Sequence, residues 1–199
     1  MIEDFINKVI CGDCLKVMED MSDNSVDLVL TDPPYGITKE DWDKVPSKEY
    51  FDEIFRISKE QIIFGGNFFD LPRKDGWIIW YKQPFLKVQS QAELIWTSFN
   101  MKMKVIHYRY AGNCEGYPNK LIVDYKKKSI HPTQKPVELL KNILSNYSKE
   151  SDIILDPFLG SGTTAVAAKQ LNRNFIGIEI SENYCKIAKQ RLRQEVLPL

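Results

Sequence analysis

Apolar residues along this chain fall in short runs bounded by polar or turn-forming residues. Val26-Asp27-Leu28-Val29-Leu30, Gln61-Ile62-Ile63-Phe64, Ile153-Ile154-Leu155 and Asn174-Phe175-Ile176-Gly177-Ile178 are four of them. Runs of this length, rich in β-branched residues, read as buried strands. Residues 7–10, Trp77-Ile78-Ile79-Trp80-Tyr81 and Glu93-Leu94-Ile95-Trp96 predict three more. Between the strands the period changes. Leu15, Met18 and Met21 sit at helical spacing. So do Tyr50, Phe51, Ile54, Phe55 and Ile57 behind Pro46-Ser47, and Val137, Leu140, Ile143 and Leu144. Residues 165–171 and a segment from Ser181-Glu182 to about Gln194 predict two further helices. Strands alternating with helices predict an α/β domain. Its 199 residues suit a single domain. Two stretches stand outside the pattern. Residues 36–45 are polar with an isolated Trp42 and predict a mobile loop. Residues 100–130 are the least periodic, with Gly112, Gly116 and Pro118 as breakers, and predict a short insertion that touches substrate.

The strand ends carry the chemistry. Val26–Leu30 runs into Thr31-Asp32-Pro33-Pro34-Tyr35. Two prolines cannot continue a sheet, so the strand stops there. An X-Pro-Pro segment is stiff and extended. The chain thus places a carboxylate, a rigid turn and an aromatic ring at the carboxyl end of a core strand, where open α/β sheets bind ligands. An exocyclic base amine is a poor nucleophile because its lone pair is delocalised. Asp32 accepting one N–H, and the Pro33 carbonyl the other, would make it more tetrahedral and reactive. Tyr35 offers a face for an extruded base. Read alone, this stretch is equally a strand closed by a capping turn.

The second constellation lies near the C-terminus. Ile153–Leu155 leads into Asp156-Pro157-Phe158, then the glycine-rich turn Leu159-Gly160-Ser161-Gly162-Thr163-Thr164, a helix, a strand and Glu179. Strand, glycine turn, helix and a strand ending in a carboxylate form a βαβ nucleotide unit. A P-loop is excluded, because no lysine follows Gly162. Ala165 stands where a dinucleotide fingerprint has its third glycine. Glu179 can take both hydroxyls of a ribose. Asp156 favours a cationic ligand group and disfavours a pyrophosphate. An adenosine-type cofactor without phosphates fits, and S-adenosylmethionine has those properties.

Charge and cysteines add less. Hydrophobic residues make up 43% and charged residues 27% of the chain, ordinary globular values. Net charge is zero, yet residues 71–136 carry twelve Lys and Arg against four Asp and Glu. Trp77, Trp80, Tyr81, Phe85, Tyr108, Tyr110 and Tyr125 interleave with that charge, so this region is expected to present a basic, aromatic nucleic-acid face. Lys82 and Lys87 are equally readable as DNA-facing or solvated. Cys11 and Cys14 share a C-x-x-C spacing with no second pair, and His107 and His131 are the only histidines. No metal site is expected. Four cysteines suit a reducing cytoplasm, and no apolar run is long enough to span a membrane.

Taken together these residues resemble the β-group of DNA amino-methyltransferases, which modify adenine N6 or cytosine N4. The resemblance is carried by Gly12-Asp13, Ser25-Val26-Asp27-Leu28, Thr31-Asp32-Pro33-Pro34-Tyr35, Gly65-Gly66-Asn67, His131-Pro132-Thr133-Gln134-Lys135-Pro136, the stretch from Asp156 to Thr164, and Gly177-Ile178-Glu179. Their order, catalytic motif first and cofactor turn last, is the permutation of that group. The resemblance implies a Rossmann-like, mostly parallel seven-stranded sheet flanked by helices, with S-adenosylmethionine as cofactor, no metal, and DNA as partner. It implies that Asp32, Pro33, Pro34 and Tyr35 hold the flipped base. It places the cofactor against Asp13, Cys14, Asp32, Lys135, Asp156, Phe158, Gly160, Ser161, Gly162, Thr163 and Glu179. Asp at the first motif position is the usual form in adenine-N6 enzymes; cytosine N4 is the alternative. The recognition segment is shorter than in many family members. That leaves open pairing with a second copy or a recognition subunit, or a cofactor-binding recognition role with catalysis in a partner.

Overall fold

The computed structural model describes residues 2–40, 42–82, 90–111, 114–117, 120–123 and 134–194. The strands are β1 (Lys8–Cys11), β2 (Val26–Thr31), β3 (Ser58–Phe64), β4 (Trp77–Tyr81), β5 (Ala92–Thr97), β6 (Lys104–His107), β7 (Arg109–Ala111), β8 (Cys114–Tyr117), β9 (Lys120–Val123), β10 (Ile153–Asp156) and β11 (Asn174–Glu179). The helices are α1 (Cys14–Glu19), α2 (Lys48–Ile57), α3 (Val137–Tyr147), α4 (Thr163–Gln170) and α5 (Glu182–Gln194). Eight strands form one sheet in the order β1-β11-β10-β2-β3-β5-β4-β6, and β7-β8-β9 form a separate antiparallel meander.

The main sheet is parallel from β1 through β3. β5 then runs antiparallel between β3 and β4, and β6 pairs parallel with β4. This is the α/β fold expected, with one strand more than the seven anticipated. The extra strand is β6, from the stretch expected to be an insertion. Lys104, Val105 and His107 are exposed, so this edge strand has no continuous apolar face and gives no periodic signal. β7, β8 and β9 do leave the sheet, as the meander.

Alternation along the central strands feeds two cores. Leu28, Leu30, Ile62, Phe64 and Phe175 point to one face, under Leu139, Leu140, Ile143 and Leu144 of α3, Ala165–Ala168 of α4 and Ala188 of α5. Val29, Ile63, Ile176 and Ile178 point to the other, under Met18 of α1 and Tyr50, Phe51, Ile54 and Ile57 of α2. A sheet covered on both faces explains why its strands read as nearly continuous apolar runs. No helix among the described residues is long and apolar enough to cross a membrane.

The interleaved aromatics divide, and several correct the expected nucleic-acid face. Trp80 and Tyr108 are core residues, 1% and 2% exposed, and the Trp80 indole N–H donates to the Tyr108 carbonyl at 2.7 Å. Trp77 packs beside the second core. Tyr81 meets His107 edge to face. Phe85, Lys87, Tyr125 and His131 lie outside the described residues.

Candidate active site

Because β1, β11, β10, β2 and β3 run parallel, their carboxyl ends share one edge of the sheet. β2 and β10 are direct neighbours, with Leu28 opposite Ile154 and Val29 opposite Leu155. The two motifs, far apart in sequence, therefore emerge side by side. They open into one cavity of about 500 Å³. Asp32, Pro33, Pro34 and Tyr35 line it from β2, Asp156, Phe158, Gly160, Ser161 and Thr163 from β10 and its turn, and Glu179 from β11.

The turn after β10 is built for close packing. Gly162 has φ of 89°, and a Cβ there would stand 2.8 Å from the Ala188 Cβ of α5. This glycine serves helix docking rather than ligand approach. Gly160 has φ of 54°, with nothing within 4 Å of where its Cβ would be. Arg191 on α5 donates through Nη1 to the Ser161 carbonyl at 2.7 Å and its hydroxyl at 3.1 Å, holding the turn from behind. The Glu179 carboxylate accepts the Gly160 N–H and the Ser181 N–H, both at 2.8 Å. Each of its oxygens keeps a further lone pair.

Asp156 is 4% exposed. It accepts from the Thr31 hydroxyl at 2.9 Å, the Thr164 hydroxyl at 2.6 Å and the Phe158 N–H at 3.1 Å. Burial nevertheless pushes its carboxyl up to about 6, against those three donors. A buried carboxylate without a cationic partner, facing a cavity, is a place for a cation.

Asp32 is held by two donors. The Tyr35 hydroxyl donates to Oδ1 and the Lys135 ammonium to Oδ2, each at 2.5 Å. Tyr35 stacks on Phe68, with centroids 4.9 Å apart and planes 12° from parallel. Its ring also lies where a Cβ on Gly65 would be, 2.3 Å from Cε1, so Gly65 makes room for it. Burial and the Asp32 and Glu93 carboxylates push the Tyr35 phenol far up, so it remains a donor. Lys135 is 10% exposed and has a second carboxylate, Glu93, at 3.5 Å. Burial alone would lower its pKa, but the two carboxylates win and hold it above the ordinary lysine value.

Glu93 was not legible as a site residue. It is the second residue of β5, whose amino end lies at the same sheet edge as the carboxyl ends of its neighbours. Lys82, just past β4, pairs with it. Both line the cavity. Lys82 is thus tied to Glu93 on the cavity wall, with its side chain 20% exposed. Gln134, Tyr110, Trp80 and Tyr184 also line the cavity, and no motif singled them out as site residues except the run containing Gln134.

Part of the stretch expected to be a loop reaches the site, with Ile37, Thr38, Trp42 and Asp43 on the cavity wall. Its base is fastened: Asp43, 7% exposed, accepts the N–H groups of Gly36, Ile37 and Thr38 at 2.9, 2.9 and 2.6 Å. Trp42 is 49% exposed, so it is no core anchor. Asp13 and Cys14 do not line this cavity. Asp13 caps α1, accepting from Leu15 N at 2.9 Å and Lys16 N at 3.3 Å. It stays close to the same edge, since Gly12 N donates to the Glu179 carbonyl at 3.0 Å. Burial pushes the Cys14 thiol up to about 11. No metal-binding cluster of His, Cys, Asp or Glu occurs among the described residues.

The comparisons decide the family. A family model for N6/N4 methylases, described as DNA methylase, matches residues 72–190. The chain belongs to that family. It is 32% identical to the type II methyltransferase M2.DpnII of Streptococcus pneumoniae, over 95% of this chain and 91% of that one. The crystal structure of an M1.HpyAVI–SAM complex superposes with a TM-score of 0.61 at 27% identity, over 92% of this chain and 98% of that one. The cytosine-N4-specific PvuII DNA methyltransferase shares the fold, with a TM-score of 0.64 at 16% identity, over 96% of this chain and 87% of that one. The chain is therefore an S-adenosylmethionine-dependent DNA methyltransferase. The family model covers N6 and N4 methylases alike.

Proposed function

We propose that this methyltransferase modifies adenine N6 of a base flipped out of DNA, with Asp32, Pro33, Pro34 and Tyr35 holding the base. The observation that carries the reading is the shared cavity: the Asp32 carboxylate and the Asp156–Gly160 turn line the same space. Asp32 at the first motif position favours adenine.

The residues present fit the cofactor. Asp156 is a buried carboxylate with neutral donors alone, suited to the cationic methionine end. Glu179 keeps acceptor capacity for a ribose. Phe158, Gly160, Ser161 and Thr163 complete that wall, with Gly162 setting the turn, Lys135 beside the methionine end, and Asp13 with Cys14 toward the adenine. S-adenosylmethionine supplies an electrophilic methyl group on a cationic sulfur. The chain's own residues prepare the amine: Asp32 accepts one amine hydrogen, and the Pro33 carbonyl, fixed by its neighbours' torsions, accepts the other. The nitrogen lone pair is thereby withdrawn from the ring. The proton leaves after transfer, when the amine is far more acidic, and water can take it.

The meander formed by β7–β9 and the chain around it, residues 100–130, is the proposed DNA-contacting segment. The decisive experiment uses the purified chain, labelled S-adenosylmethionine and unmethylated DNA, followed by digestion to nucleosides. N6-methyldeoxyadenosine supports the reading. N4-methyldeoxycytidine transfers it to the other base, and no incorporation points to a recognition subunit with catalysis in a partner.

A further inference from the structure

Resting on the base-flipping reading, a problem of charge arises at Asp32. An amine that is to donate to this carboxylate meets two donors already there, the Tyr35 hydroxyl on Oδ1 and the Lys135 ammonium on Oδ2. The ammonium also neutralises the charge that would polarise the amine. Lys135 has little room to withdraw into water, because its side chain is 10% exposed. A buried ammonium must keep an anionic partner.

That partner is in place. Glu93 Oε2 lies 3.5 Å from Lys135 Nζ, is buried, and makes no hydrogen bond. The other oxygen of Glu93, Oε1, is held by Lys82. Lys82 in turn is fixed from two sides: its backbone N–H donates to the Gln91 carbonyl at 2.8 Å, and its Nζ lies 5.0 Å from the Trp80 ring centroid. Asp32, Lys135, Glu93 and Lys82 thus alternate in sign along the cavity wall, with one acceptor unfilled.

We propose that Glu93 is a positioning residue, an alternative seat to which the Lys135 ammonium moves from Asp32 when the base amine enters. Lys82 keeps Glu93 from following the ammonium. The shift is short, from one carboxylate to another around the same nitrogen, and the ammonium never loses an anionic neighbour. Asp32 regains its full charge at the moment the amine needs it.

The test compares the full-length wild type with Glu93→Gln, Glu93→Asp, Lys135→Met and the double variant Glu93→Gln/Lys135→Met. Rates are measured at saturating DNA and cofactor, with thermal melting and S-adenosylhomocysteine affinity alongside. Glu93→Gln removes the charge but not the volume. It is expected to lower kcat about tenfold, the size of a typical coupling within one charge network, with KM and product affinity unchanged. Glu93→Asp keeps the charge and recovers most of that loss. In the Lys135→Met background, Glu93→Gln changes nothing further, because no ammonium is left to move. A Glu93→Gln enzyme with the wild-type kcat overturns the inference. So does an equal further loss in the double variant, or a Glu93→Asp enzyme that melts normally yet is as slow as Glu93→Gln. If Glu93→Gln melts early, the double-variant and Glu93→Asp comparisons decide. A wild type that transfers no methyl group overturns both this inference and the reading it rests on.

Discussion

The Thr31 hydroxyl donates to Asp156 Oδ1 at 2.9 Å, across 125 positions of sequence. It fastens the tip of β2 to the tip of β10, and so the Asp32–Tyr35 motif to the glycine turn. Thr31→Val removes this donor from a buried carboxylate. A loss of about 1–3 kcal/mol is expected. Differential scanning calorimetry should show it as a drop of roughly 2–4 °C per kcal/mol.

With the cofactor placed as proposed, Asp156 should make its affinity depend on pH. Its folded value of about 6 lies above the ordinary 3.8. A raised carboxyl favours the folded state below the ordinary value, and that contribution disappears as pH rises from about 4 through about 6. Ionised Asp156 is therefore a cost that a cationic ligand group relieves. Binding should strengthen as pH rises through about 6, by at most ~1.4 kcal/mol per pH unit. Titration calorimetry across pH 5 to 8 checks this, and Asp156→Asn should flatten the dependence.

Asp32→Ala separates the two halves of the cavity. Methyl transfer should fall about a hundredfold or more. S-adenosylhomocysteine affinity should stay close to wild type, because the Asp156 wall is untouched. Transfer retained in this variant would remove Asp32 from the reaction.

Gly65→Ala tests Tyr35 from behind. The new methyl would stand 2.3 Å from the ring, at a φ of 63°. The ring must shift, taking its hydroxyl from Asp32. Loss of transfer with cofactor binding intact is expected, and filter binding with labelled cofactor would show the latter.

The two glycines of the cofactor turn should differ. Gly160→Ala meets no neighbour and costs roughly 1–2 kcal/mol for its left-handed backbone. Gly162→Ala carries the same backbone cost plus overpacking against Ala188, roughly 1–3 kcal/mol more. Urea unfolding of both variants ranks them.

The sequence by itself determined the alternating strands and helices and the two strand-tip motifs, because buried strands and tight turns leave local signatures in residue type and spacing. It did not mark β6, an edge strand whose exposed side chains break periodicity. Nor did it distinguish Trp80, a core residue, from a ring facing nucleic acid: both are aromatics beside lysines, and burial is a property of the packed sheet. Asp32 was legible because two prolines isolate it. Glu93 and Lys82 were not, since nothing near them in sequence says what they touch. Only the tertiary structure decided that the antiparallel turn of β5 brings the start of one strand to the ends of the others. That reversal sets Glu93 beside Lys135 and fills the cavity with an alternating row of charges. Pairing between distant charges depends on strand direction and order, and those are fixed by the whole sheet rather than by any stretch of it.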